Sequence, residues 1–323
     1  MPHTAAKKAE FDTPRKLLLM PYAVVPLTML IVLIDQLFLG GRFKSHFMVM
    51  PESLLLYSLF FNLPHVAAST VTFFDLEYLK HYSWRLYVPA FIIVITFILF
   101  PSITLTPVFA LVVTLTTIIH VVGQQFGLSV MLGVPPRKIR YLWMWLAFTS
   151  NILFLYGYAA PPNIRPYMEI GAWIGMAAFL ICSYFIYKAT TTPLGKLYVT
   201  GIVISIVWAA ALFLSYYLFL AILIPRVVHD ITAFTFYISH DTNRNKGRVR
   251  NMIYETISFL KVPVYILCPL VAILLAFPIS YFHFVKGQEW AYKIFIFLTF
   301  MHYYTETFIW KKGTPHREYI RMR

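Results

Sequence analysis

Ten apolar runs dominate the chain, at residues 17–39, 52–75, 86–103, 106–132, 141–160, 168–188, 197–216, 218–240, 262–282 and 290–310. Each is long enough for a helix to cross about 30 Å of hydrocarbon. The polar stretches between them are short, and the longest runs from Asp241 to Asn251. Of the 323 residues, 59% are hydrophobic and 12% are charged, against roughly a quarter charged in soluble domains. One soluble core cannot hide that much apolar surface. The pattern predicts an all-α polytopic transmembrane bundle of about ten helices spanning 17–310, with tails at 1–16 and 311–323. It excludes an ordinary soluble enzyme, a disordered chain and a secreted disulfide scaffold. Cys182 and Cys268 both lie inside apolar runs, so neither a disulfide framework nor a thiolate zinc site is expected.

Two boundaries need argument. From Leu197 to His240 the chain is nearly continuously apolar, broken at Ser215–Tyr217 and Pro225–Arg226. One span of that length fits no bilayer, so two helices joined by a tight turn are expected. The first run is longer than a signal-peptide core and lacks a small-x-small cleavage site, which predicts a retained helix.

Charge sets the orientation. With the N-terminus in the cytoplasm, six of the 27 Lys and Arg fall on the far side: Arg42, Lys44, Arg165, Arg226, Lys286 and Lys293. The other 21 face the cytoplasm. The positive-inside rule therefore places both termini there. The net charge of +14 reflects this topology, not a nucleic-acid partner.

Ionisable groups within membrane spans are costly and point to function. His65, His120, His229 and His302 lie in the second, fourth, eighth and tenth runs, nine to twelve residues from their cytoplasmic ends. At 1.5 Å per residue the depths are roughly 14–18 Å, one layer near the midplane. Local packing would scatter such depths, so a shared site is expected. His302 and Glu306 are four residues apart and share a helix face, as do His120 and Gln124. Glu306 can bind metal or orient an imidazole, and Gln124 can hold a water or meet substrate. Asp230 follows His229 and orients a ligand or pairs with Arg226. The plainer reading of both carboxyls is that they are paired or protonated and only join helices.

Imidazole with carboxylate suits Fe, Zn, Cu or Mn. A site of several histidines in hydrocarbon favours non-haem iron and O2, because O2 and lipid-soluble substrates both dissolve there. Zinc is less favoured, since the His-Glu-x-x-His helix motif is absent. Haem held by two facing histidines is a further option.

A second polar set closes the helices at the cytoplasmic rim: Asp75, Glu77 and His81, with His240 and Asp241. His229 and His240 share a face but stand about 16 Å apart along an unbroken helix, so one metal cannot take both. The rim groups read as solvated, as do His3, His46, His283 and His316 in tails and loops. Trp84, Trp143, Trp145, Trp290 and Trp310 read as interfacial anchors. Tyr303, Tyr304, Phe308, Phe234, Phe236 and Tyr237 line a tunnel or simply pack. Gly123–Gly127 and Gly171–Gly175 permit close helix approach.

Four patches carry a resemblance: Asn62-Leu63-Pro64-His65, Ile118-Ile119-His120, Phe234-Thr235-Phe236-Tyr237-Ile238-Ser239-His240, and His302 with Glu306. In order and helix placement they resemble the bacterial multi-pass membrane β-carotene dioxygenases. The resemblance implies iron ligation by His65, His120, His240 and His302, O2 and a hydrophobic substrate as partners, and a bacterial inner membrane. Depth prefers His229 where the resemblance prefers His240. A proton- or metal-moving transporter using the same intramembrane layer, and a bis-histidine haem protein, are the competing readings.

Overall fold

The computed structural model describes residues 12–46, 55–135, 138–320 and 322–323. His3, Lys7, Lys8, Arg137, Arg321 and the His46 side chain, with most of the expected tail 1–16, lie outside the described residues. Among the described residues the regular elements are helical, with isolated bridges at Thr13–Met322 and Asp75–Asn251.

A helix lies over each apolar run: α1 (Arg15–Phe38), α2 (Leu55–Val71), then after the short α3 (Leu76–His81), α4 (Ser83–Leu99) and α5 (Pro107–Leu132). They continue as α6 (Lys138–Ala159), α7 (Arg165–Ala189), α8 (Pro193–Leu214) and α9 (Leu218–Arg244). After the short α10 (Met252–Thr256) come α11 (Val264–Val285), α12 (Glu289–Ile309) and the one-turn α13 (Pro315–Glu318). Six of these, α1, α5, α7, α8, α9 and α11, are long and apolar enough to cross a membrane, and α2 and α4 are shorter apolar helices. The chain is a multi-pass membrane protein by the length and composition of its helices.

The break after α8 falls at Ser215–Tyr217, where Tyr216 takes a left-handed φ of 64°. Pro225 does not break α9. In α2 the backbone widens into a π turn over Ser58–Asn62, directly before Pro64. Proline supplies no N–H and its ring crowds the carbonyl four residues back. The wider turn accommodates both problems.

The chain forms two compact units. The first comprises the N-terminal segment through Pro14, Pro51–Val113 and Asp230–Arg323; the second comprises Arg15–Met50 and Thr114–His229. Helices α5 and α9 therefore each supply residues to both. In the first unit, α2 packs against α11 and α12 through small buried residues, among them Ala67, Ala68, Ala272 and Ala276. The C-terminal segment is packed in place: His316 is fully buried, and Tyr319 accepts at its carbonyl from Asn243 and at its hydroxyl from Arg244. The solvated reading of His316 is thus corrected, because aromatic rings enclose it on several sides.

In the second unit, α6 and α7 pack along their length. A Cβ at Gly175 would lie 3.3 Å from Ser150 Cβ, and one at Gly171 3.3 Å from Leu153 Cδ1, so this pair does serve close approach. Gly123 and Gly127 have nothing within 4 Å of an added Cβ, and the packing role expected of them is corrected. Trp143 is also no interfacial anchor. It is fully buried, stacked on Phe179, and donates to Ser183 Oγ at 2.6 Å.

Gly195, in the first turn of α8, faces the end of α5. A Cβ there would sit 2.2 Å from the Leu132 carbonyl oxygen, and backbone cannot yield as a flexible side chain would. Gly195→Ala should cost about 1–3 kcal/mol, whereas Gly123→Ala should be neutral or stabilise by up to about 1 kcal/mol. Thermal unfolding of the two detergent-purified variants compares them directly, and equal melting temperatures would contradict this packing.

Candidate metal-ligating residues

In the first unit, α2, α9 and α12 bring His65, Asp230, His302 and Glu306 into one buried region. His65, Asp230 and His302 are each at most 2% exposed. The His65 and His302 rings lie edge to face with centres 4.7 Å apart. His65 Nδ1 is 3.1 Å from the Phe61 carbonyl and 3.4 Å from Asp230 Oδ1. Both oxygens accept, so Nδ1 carries the hydrogen, and Nε2 is the nitrogen that could meet a metal. Asp230 is itself held by the Tyr57 hydroxyl. This is the arrangement by which proteins orient a ligating imidazole from behind. One turn beyond His302, Glu306 Oε1 accepts from Tyr237 Oη at 2.8 Å and from Trp310 Nε1 at 3.2 Å. The nearest donor atoms of His302 and Glu306 lie within 4.8 Å of each other.

In the second unit, α5 and the first half of α9 bring His120 and His229 together, again edge to face with ring centres 4.7 Å apart. His229 is 1% exposed and Gln124 is half-buried. The neighbouring Gln125 contributes the ties here. Its amide donates to the Pro225 carbonyl and accepts from Tyr22, while its backbone carbonyl accepts from Tyr198. Sequence reasoning assigned Gln125 no role of its own, and its place one residue past the His120 face gave little signal.

His240 is held elsewhere. Its Nδ1 lies 2.8 Å from Asp241 Oδ1 and 3.1 Å from Thr72 Oγ1, and its Nε2 lies 2.9 Å from Tyr78 Oη. The carboxylate fixes the hydrogen on Nδ1, and Nε2 then accepts from Tyr78. Both ring nitrogens are occupied, and His240 belongs to no set of three or more ligand atoms within 4.8 Å of one another among the described residues. Asp241 also accepts from Thr72 at 2.9 Å and from Tyr254 at 2.5 Å.

One helical turn on, Arg244 donates to Asp75 at 2.8 Å, to Glu77 at 2.6 Å and to Tyr319 at 2.9 Å. Its guanidinium lies over the Tyr78 and Tyr319 rings. Asp75 also caps α3 by accepting from the Glu77 amide. The solvated-rim expectation therefore holds for Glu77 and His81, which are exposed. It is corrected for Asp75, His240 and Asp241, which are 2%, 1% and 1% exposed. Burial is affordable for these charges because each carboxylate meets several donors. Arg244 also holds the Glu77 carboxyl below the usual carboxylate range.

Comparison with protein-family models, curated proteins and solved structures finds no match to this chain.

The buried His316 ring stacks on His240 with centres 4.7 Å apart. Burial first, then its neighbours His240, Arg244 and His81, which disfavour a second positive charge there, holds its pKa well below the ordinary value, which is about 6.5. An unfolded chain takes up a proton here below about pH 6.5 and the folded chain does not. Stability from neutral His316 is therefore complete above that pH and is lost as pH falls through it, at up to about 1.4 kcal/mol per unit. Thermal melts between pH 7 and pH 5 should show this decline, and His316→Gln should flatten it. An unchanged slope in the variant would contradict the assignment.

Proposed function

We propose that this chain is a ten-span protein of the bacterial cytoplasmic membrane, with both termini cytoplasmic, that holds non-haem iron through histidine and uses O2 on a lipid-soluble substrate. The observation that carries this reading is the His65–His302 pair, backed by an aspartate and a backbone carbonyl on the far nitrogen of His65. His120 and His229 in the second unit repeat the same ring separation.

That separation bears on which metal group the residues suit. With metal–nitrogen bonds of about 2.0–2.1 Å, two imidazoles on adjacent positions of one ion have ring centres roughly 4.5–5 Å apart. Two axial ligands on opposite sides of a haem have them above about 6 Å, since the porphyrin plane lies between. The 4.7 Å found in both pairs favours a bare ion over haem. Nitrogen and carboxylate donors without thiolate suit iron. Zinc fits the same donors, but its hydrolytic chemistry needs water as co-substrate.

In this reading His65, His302 and Glu306 are the ligands within the first unit, and His120 and His229 are a second candidate pair within the second unit. Asp230 positions His65 through Nδ1 and is itself fixed by Tyr57, so the imidazole presents the same nitrogen throughout. Tyr237 and Trp310 fix one oxygen of Glu306. Gln124 is half-buried beside His120 and orients substrate or water. Iron bound there supplies activation of O2, which the chain cannot supply alone. His240 belongs to the network at the helix end.

Elemental analysis of detergent-purified protein should find iron. His302→Ala should remove it while leaving membrane insertion unchanged. Asp230→Asn keeps the shape but removes the charge behind His65, and should weaken metal affinity about 10–100-fold. A full iron complement in His302→Ala, or unaltered affinity in Asp230→Asn, overturns the ligand assignment.

A further inference from the structure

A partly open cavity of about 230 Å³ lies within the first unit, between the end of α2, the start of α4 and the middle of α12. Its lining reaches from Phe74 and Tyr87, which are 41% and 58% exposed, to Ser69, His302 and Thr305, which are at most 3% exposed. One end therefore meets the apolar outer surface, and the other ends on an imidazole assigned above to the metal.

Three features define what fits. The lining contains no Lys, Arg, Asp or Glu, so nothing meets a charged headgroup. The hydroxyls of its Ser and Thr residues are turned away: Ser69 and Thr70 donate to the Val66 carbonyl and Thr305 to the His302 carbonyl. They present carbon to the cavity. Finally, whole-ligand pockets run to about 300–1,000 Å³. This space takes a segment of a slender chain and leaves the rest outside.

We propose that the cavity receives the methyl-terminal segment of an acyl tail from a bilayer lipid, entering past Phe74 and Tyr87 and ending against His302. The headgroup stays at the membrane surface, since the cavity offers it no partner. The aromatics of α9 and the end of α12, expected above to line a tunnel or simply to pack, do not line this space. Its rings come from Phe73, Phe74, Tyr87 and Phe297. As a binding site the cavity stands by itself. As a substrate site it rests on the metal reading, and it makes the far end of an acyl chain the part brought to His302.

The test uses the full chain in liposomes with two phosphatidylcholine probes. One carries a diazirine at the terminal end of an acyl chain and the other beside the ester. After photolysis, the terminal probe should label peptides containing Ser69, Met301 or His302 well above the ester-proximal probe. Ala90→Trp and Thr70→Phe fill the cavity from two sides. Each excluded methylene is worth about fourfold in binding, so each variant should lower this labelling by about tenfold or more. Equal labelling by both probes, or labelling unchanged in both variants, overturns the proposal. Labelling by a terminal-diazirine fatty acid but not by the phospholipid overturns the choice of a bilayer lipid. If one variant fails to fold, the other and the comparison of probes in the unaltered chain still decide. Iron is measured in the same samples: labelled protein without iron sinks the metal reading and leaves the cavity, and iron without labelling does the reverse.

Discussion

Hydrocarbon offers no hydrogen-bond partner, so every polar side chain placed within the bundle must find one in the protein or bind something that provides it. That constraint orders the polar residues of this chain. Asp35 in α1 accepts from the Phe43 amide at 2.9 Å and from Tyr217 at 2.8 Å. Ser183 meets Trp143, and Gln125 ties three helices in the second unit. Asp241 has three donors around it. Each such group is bound by neighbours from distant parts of the sequence, and each fixes a helix at a definite depth and rotation. Apolar contact alone would leave helices free to slide, because lipid and leucine are nearly equivalent surroundings.

The same constraint explains how much the sequence disclosed. Length and hydropathy located the helices, because a span needs a long apolar run whatever it packs against. The tight turn at Ser215–Tyr217 was legible for the same reason. Depth put His65, His120, His229 and His302 in one layer, since side chains of neighbouring helices meet only at equal distances from the helix ends, but it did not say that His65 would lie beside His302 and His120 beside His229. Rotation about the helix axis was far less legible. Trp143 stands near a helix end, yet it faces Phe179. His316 follows the last helix in a short polar segment, yet that segment folds onto Tyr78 and Tyr82. Gly123–Gly127 and Gly171–Gly175 have identical spacing, and only the second meets a neighbour. Spacing gives a shared face, and the fold decides what that face sees.

The rim misled for a related reason. A carboxylate and a histidine at the end of a membrane helix are usually wet, and Glu77 and His81 are. Asp75 sits beside them but is buried, because Arg244 reaches it from α9. A long flexible cation 169 residues away in sequence leaves no local trace at Asp75 itself. The aspartate's other task, capping α3, was visible in principle from its place immediately before Leu76.

Helix α9 carries the dipeptide His-Asp twice, at His229–Asp230 and His240–Asp241, on one face and eleven residues apart. The two aspartates have parallel settings. Each accepts from a tyrosine, Tyr57 or Tyr254, and each lies against a histidine, His65 or His240. What separates the two is the other nitrogen of that imidazole. In His240 it is taken by Tyr78, so the dyad is closed by hydrogen bonds on both sides and its work is complete when the helix ends are joined. In His65 the hydrogen-bonded nitrogen is the one facing Phe61 and Asp230, and a second imidazole, His302, stands 4.7 Å from the ring. Two imidazoles are costly to bury in hydrocarbon, and the metal binding proposed above would give their lone pairs a cation to serve.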